Sequence, residues 1–265
     1  MLDIKQIETF FPKPLRIYKK NLLREYLQYR LIEAIGDSPY ALKMAFMGGS
    51  AIHILHGNNR FSEDLDFDNL GLSQEDFRKL IENVKRRINL HGYKIETIIH
   101  VDTAFRVYLK FPRILYENKI SSHKQEKLTI QIDMEPQNFS YTPEKKIINK
   151  FDVFLRIQTV PEELLLSQKI LCIFKRPRLM GRDFYDIIFL LGKTQPNFDY
   201  LREKLNIQGP HELKKHLIEK CRDVDFERLA KDVKPFLFNP DDTKKVIYFP
   251  EYIKNLELRQ IHDQP

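Results

Sequence analysis

Asp64 and Asp66 stand two residues apart in the run Ser62-Glu-Asp-Leu-Asp-Phe-Asp68. In a strand, positions i and i+2 project from one face. The spacing therefore sets two carboxylates side by side, with Leu65 and Phe67 packing behind them. Adjacent carboxylates repel, and a hard divalent cation such as Mg²⁺ or Mn²⁺ is the usual remedy. Shortly before them comes Gly48-Gly49-Ser50. Glycines permit a turn that residues with a Cβ resist, and a helix starting there presents free backbone N–H groups to a phosphate. Paired acids beside a phosphate cradle describe a site for a metal-held nucleoside triphosphate (NTP).

Further candidates lie downstream. Lys169 interrupts the apolar stretch Leu164-Leu-Leu-Ser-Gln-Lys-Ile-Leu-Cys-Ile-Phe174. Either it snorkels at a helix edge, or it is a point charge for a β- or γ-phosphate. Asp183 and Asp186 are three apart, hence neighbours on one helix face. Asp183 suits a helix N-terminus, and Asp186 suits a salt bridge to a nearby arginine. The basic loop Lys175-Arg-Pro-Arg178 and then Arg182 precede or adjoin them. His53 and His56 share a helix, but a three-residue spacing without a third ligand is weak evidence for zinc. Ser50 lacks an acid–base partner of the kind a nucleophile needs. Ser62, two residues before Asp64, is a loop serine where a phosphate would add charge beside the paired acids.

Two patterns carry a family resemblance. Gly48-Gly49-Ser50 followed by Asp64-x-Asp66 resembles the signature of polymerase-β-type nucleotidyltransferases. The longer wording, Gly-Gly-Ser-Ala-Ile and then Arg60-Phe-Ser-Glu-Asp-Leu-Asp-Phe67, resembles the AbiEii-type toxins of abortive-infection (type IV) toxin–antitoxin systems. The resemblance implies a third carboxylate on a neighbouring strand, which makes Asp133 a metal ligand or general base, with Glu135 as the fallback. It implies that Asp64, Asp66 and Asp133 hold Mg²⁺ or Mn²⁺. It implies that Gly48, Gly49 and Ser50 contact the phosphates and that Lys169 offsets charge on the leaving pyrophosphate. Arg-Asp-x-x-Asp after a lysine helix resembles later motifs of the family. Asp183 is then expected to order Lys169 or contact the nucleotide, with Arg182 and Asp186 in the nucleotide site. Some relatives modify the 3′ end of tRNA, so the expected partners are an NTP, an RNA (tRNA) acceptor and a separately encoded antitoxin.

The elements that must position these residues follow from patterning. Met44–Met47 reads as a strand, Ala51–Leu55 as a short helix opened by Ser50 and closed by Gly57, and Ser62–Asp68 as a second strand. A helix over Leu15–Ile35 precedes them, ended by Gly36-Asp-Ser-Pro39. Ser73 caps a helix running to about His91. Alternation predicts strands at Tyr93–Val101, Phe105–Phe111 and Leu128–Glu135, and a short one at Phe154–Val160. The polar segment Glu117–Glu126 reads as a surface loop. Beyond Pro161 the patterns are helical, at 161–175, 181–193, about 197–205, 211–220, about 225–234 and near 250–259. Asn239-Pro-Asp-Asp242 reads as a turn. The fold class is α+β: a polymerase-β-like mixed-sheet domain at 1–160, then a helical domain at 161–265 completing the nucleotide and acceptor site.

Composition bounds the rest. The 265 residues suffice for one large domain or two small ones, and 42% hydrophobic residues favour a folded core. Lys and Arg number 44 against 37 acids, a net charge of +7 that agrees with a nucleic-acid partner without requiring one. Cys172 and Cys221 form no visible metal or disulfide framework. No run approaches the roughly 18 apolar residues of a membrane span, and the N-terminus lacks a signal-peptide pattern, so a cytoplasmic enzyme is expected. The reading is a Mg-dependent, pyrophosphate-releasing nucleotidyltransferase toxin acting on an acceptor hydroxyl, with the tRNA 3′ end favoured. The alternatives are transfer to a protein or small-molecule hydroxyl, and a catalytically silent nucleotide-binding protein.

Overall fold

Alternating apolar and polar residues build the first part of the chain into a sheet with one dry face. In the computed structural model, which describes residues 2–102 and 104–258, the strands are β1 (Met44–Met47), β2 (Leu65–Asn69), β3 (Glu96–Val101), β4 (Phe105–Pro112), β5 (Lys127–Glu135), β6 (Glu144–Lys150) and β7 (Val153–Thr159). They form one seven-stranded sheet in the order β3-β4-β5-β2-β1-β7-β6. The pairs β2–β5 and β1–β7 are parallel and the others antiparallel, so the sheet is mixed. Phe46, Leu65, Phe67, Val107, Leu109, Ile130, Ile132 and Met134 are buried. Their alternation with polar neighbours fixes the register, since a one-residue slip would expose the whole set.

Helices of this unit are α1 (Ile4–Thr9), α2 (Lys19–Gly36), α3 (Gly48–His56), α4 (Gln74–Leu90) and α5 (Ile114–Glu117). Helix α2 packs on β7, β5 and α4, and α4 packs on β3. Ser73 caps α4 by accepting the Asp76 N–H, and Glu75 and Asp76 complement the helix N-terminus. Phe77, Leu80, Ile81, Val84 and Ile88 recur at helical spacing, and all are buried. The predicted helix at Leu15 begins instead at Lys19, because Pro12 and Pro14 hold residues Lys13–Ile17 in a 3₁₀ turn. Strand β6 escaped patterning. It is an edge strand whose Lys145, Lys146 and Lys150 blur the alternation, and it is fixed by pairing with β7.

Contacts divide the chain into two units: Met1–Gly57 with Phe61–Val160, and Asn58–Arg60 with Pro161–Pro265. The excursion of Asn58–Arg60 into the second unit was not apparent from the sequence. That unit contains α6 (Glu162–Lys175), α7 (Gly181–Leu191), α8 (Phe198–Leu205), α9 (Pro210–Lys220), α10 (Phe226–Val233), α11 (Thr243–Ile247) and α12 (Phe249–Asn255). Residue 259, the end of the expected last helix, lies outside the described residues. Phe184 anchors the unit's core, its ring 5.3 Å from that of Phe226 and 4.9 Å from that of Phe249. At Gly181 a Cβ would run into the Leu229 carbonyl, so glycine lets α7 and α10 approach closely. Arg60 bridges to Leu237, and the Phe238 N–H donates to the Asn59 carbonyl.

Candidate active site

Strands β1 and β2 run antiparallel with Met47 opposite Asp66. Asp66 therefore lies beside the point where β1 ends and α3 begins. The helix starts at Gly48, three residues earlier than the sequence suggested. Gly48 has φ of 75°, in the left-handed region, and a Cβ there would fall on the Asp66 carboxylate. Glycine is thus required twice over, for the turn and for the close approach. Ser50 is buried inside α3, and its hydroxyl donates to the Asp64 backbone carbonyl. It fastens the residue just before β2 to the helix. Gly49 is also buried, in the first turn of α3.

Strand β5 lies on the other side of β2, in parallel register, with Asp133 opposite Asp66. Register partners share a sheet face, so the two aspartates project side by side, backed by Leu65, Phe67, Ile132 and Met134. Glu135 is opposite Asp68 and exposed. The Asp133 carboxylate accepts from Arg106 Nε at 2.5 Å and from Gln131 Nε2 at 2.5 Å. Arg106 is the register partner of Asp133 on β4. Among the described residues, no three or more His, Cys, Asp or Glu side chains are gathered as a metal cluster. The donor set still suits a hard cation: carboxylate oxygens, with neither thiolate nor imidazole. The Arg106–Asp133 pair is 42% and 23% exposed. Pairs this open contribute only about 0–1 kcal/mol.

Asp68 continues the same face and was not singled out by its sequence. It is buried, accepts the Gln137 N–H at 2.9 Å and is the acceptor for the Tyr141 hydroxyl at 2.6 Å. Burial raises its pKa above the ordinary value, more than these two hydrogen bonds lower it. Asp68 thereby fastens the segment after β5 to the face that carries Asp66 and Asp133.

Helix α3 is anchored by a buried ionic cluster. Glu25 of α2 lies 3.1 Å from His53 Nε2 and accepts from Lys150 Nζ at 2.7 Å. Lys150 also sits over the Phe11 ring, 4.2 Å from its centroid. Burial pushes the Glu25 pKa up, but His53 and Lys150 outweigh it and hold the carboxyl below its usual range. His53 thus joins α3 to Glu25 of α2. His56 is buried too.

The second unit holds its own charge cluster. Lys169 is buried in α6, with Nζ 3.0 Å from Asp183 and 3.0 Å from Asp186, both on α7. Asp186 also accepts from Arg60 through Nε and Nη2 at 2.6 Å each, and from Asn58 Nδ2 at 2.7 Å. Burial alone would push Asp186 up, but Arg60 and Lys169 outweigh it and hold its pKa below the ordinary value. Burial likewise disfavours charge on Lys169, yet Asp186 and Asp183 keep it firmly protonated. Arg176 of the basic loop reaches Asp183 at 3.3 Å. The arginine paired with Asp186 is Arg60, from far upstream, while Arg182 lies over the Phe236 ring at 4.8 Å.

Residues 30–246 match the family described as nucleotidyl transferase AbiEii toxin, type IV toxin–antitoxin system. The chain belongs to that family. It is a nucleotidyltransferase toxin of a type IV toxin–antitoxin system. No curated protein matches it. Among solved structures it is similar to the nucleotidyltransferase toxin MenT4 of Mycobacterium tuberculosis, with 12% identity, a TM-score of 0.61 and coverage of 97% of this chain and 91% of that one. It is also similar to JHP933 of Helicobacter pylori, with 20% identity, a TM-score of 0.54 and coverage of 88% and 91%. At these identities the likeness concerns the fold. Among the described residues of this AbiEii-family chain, no helix is long and apolar enough to cross a membrane.

Sequence reasoning missed Arg106, Asp68, Glu25 and the role of Arg60. Arg106 carried a signal, because Phe105-Arg-Val-Tyr-Leu-Lys-Phe111 alternates and puts Arg106, Tyr108 and Lys110 on one face. Neither the Glu25–Lys150 nor the Arg60–Asp186 pairing was signalled, because the partners lie 125 and 126 residues apart.

Proposed function

We propose that this AbiEii-family toxin transfers a nucleotide from an NTP to the terminal hydroxyl of an RNA, with the tRNA 3′ end as the favoured acceptor, in the cytoplasm. The observation that carries this reading is the parallel register of Asp66 and Asp133 beside the Gly48 turn. Asp64, Asp66 and Asp133 would hold Mg²⁺ or Mn²⁺. When bound, such an ion offsets phosphate charge and orients the reacting oxygens. The backbone N–H groups at the start of α3, from Gly48 and Gly49 on, receive the phosphates; the hydroxyl of Ser50 supports them by fixing the Asp64 peptide.

Asp133, released by Arg106, accepts the proton of the attacking hydroxyl on a carboxylate oxygen. The acceptor oxygen bonds to the α-phosphorus, the bond from that phosphorus to the bridging oxygen breaks, and pyrophosphate leaves. Positioning and charge stabilisation do most of this work. For the helical unit, Asp183 and Asp186 order Lys169 as a fixed cation for phosphate, and Arg182 is an additional candidate cation.

Pyrophosphate release tests the reading. Release is expected only when Mg²⁺ or Mn²⁺, an NTP and RNA are all present, and Asp64→Ala should abolish it without altering the circular dichroism spectrum. Equal release by the Asp64→Ala protein would contradict the role of the paired acids.

A further inference from the structure

The sheet face bearing Asp66 and Asp133 does not stop at β5. It continues across β4 and β3 as three rows set by strand register. Asp133, Arg106 and His100 form the first; Gln131, Tyr108 and Ile98 the second; Thr129, Lys110 and Glu96 the third. The residues between them, Val107, Leu109, Ile130 and Ile132, point the other way and are buried. The rows are half-buried to exposed, with Arg106 and Ile98 each 42% exposed. Tyr108 and His100 meet edge to face, their ring centroids 5.9 Å apart at 85°.

From this juxtaposition we infer that the β3–β5 face is a platform for the single-stranded end of the RNA acceptor. The inference rests on the RNA-acceptor reading and names where that strand lies. Bases stack on exposed aromatic rings of an open sheet, and phosphates meet the cations between them. Tyr108 and His100 supply the rings. Lys110 and Arg106 supply the cations on β4, and Lys127 lies at the start of β5, paired with Glu96 at 2.7 Å. Among the described residues Lys110 has no ion-pair partner. The only acids in the three rows, Asp133 and Glu96, are already paired with Arg106 and Lys127, which leaves Lys110 as the uncompensated charge within the rows.

Composition favours nucleic acid over a protein partner. A dry protein interface depletes charge at its centre, whereas here polar and charged side chains surround Tyr108, and Ile98 is the only large aliphatic side chain in the rows. The register also gives direction. A strand laid across Lys110, Tyr108 and Arg106 ends beside Asp133, where its terminal hydroxyl is needed. Arg106 then has two partners by turns: it neutralises Asp133 in the resting state and turns to an acceptor phosphate when that carboxylate is engaged.

Fluorescence anisotropy of a fluorescein-labelled single-stranded RNA of about 12 nucleotides tests the platform. Tyr108→Ala should weaken binding at least about fivefold and Tyr108→Phe should restore it, since stacking needs only a ring. Lys110→Gln should weaken binding and lower the salt slope by about 0.7, one phosphate contact of a single strand. The wild-type protein offers a second readout that needs no variant: a 4-thiouridine RNA of the same length should crosslink to the peptide carrying Tyr108. Variants that bind like wild type, or crosslinks confined to other peptides, while RNA is still extended, would overturn the platform and leave the RNA acceptor standing. A wild-type protein that neither binds the oligonucleotide nor extends any RNA would overturn both.

Discussion

Gly48 and Asp66 illustrate what single residues decide in this protein. The glycine is left-handed and abuts the carboxylate. Gly48→Ala should therefore cost about 1–2 kcal/mol from backbone strain alone, displace Asp66, and reduce nucleotide transfer more than it reduces stability; urea denaturation and a transfer assay separate the two effects. In the helical unit, Lys169→Met removes one cation from a balanced buried set and leaves Asp183 short of a partner. A loss of about 3–5 kcal/mol is expected, read as a lower urea midpoint. Asp186 makes the same cluster sensitive to acid. Its folded pKa is depressed, so its stabilising charge is fully present above the ordinary aspartate value of 3.8 and is lost as pH falls through the lower folded value. Between 3.8 and that lower value, stability should fall less steeply with acid in Asp186→Asn than in wild type. The Asp64-x-Asp66 spacing was legible because it is local, although β2 begins only at Leu65, after Asp64. The Arg60–Asp186 pair was not, because only the fold brings residues 126 apart together.

At the scale of elements, the short helix α3 carries the Gly48 turn proposed to receive phosphate, and it is held from beneath by Glu25, His53 and Lys150. Nine residues make a marginal helix by themselves, so tertiary anchoring sets its position. Glu25→Gln removes the charge that both partners meet. It should destabilise the protein by about 2 kcal/mol and raise the KM for NTP more than it lowers kcat. Equal KM values would mean that α3 holds its place without the cluster. Most elements could be read from period and caps: Ser73 marks α4, Gly57 closes α3, and alternation marks β3, β4 and β5. Strand β6 and the short helix α11 could not be read, because neighbours rather than local pattern stabilise them. The start of α3 was misplaced because Ser50 looks like a cap, whereas its hydroxyl is spent on the Asp64 carbonyl.

For the whole molecule, the division into a sheet-based unit and a helical unit follows the change of pattern near Pro161, with Asn58–Arg60 as the exception. A net charge of +7 suits an anionic acceptor, and RNA binding should weaken steeply between low and moderate salt, as counterion release requires. A small-molecule acceptor would show little such dependence. The measurement that bears most directly on the function is incubation of the purified protein with Mg²⁺, each labelled NTP in turn and total cellular RNA, with Asp66→Ala in parallel. Label entering a tRNA-sized band with the wild type alone is the expected result. Label absent from RNA, or present equally with Asp66→Ala, would contradict an RNA nucleotidyltransferase built on Asp66.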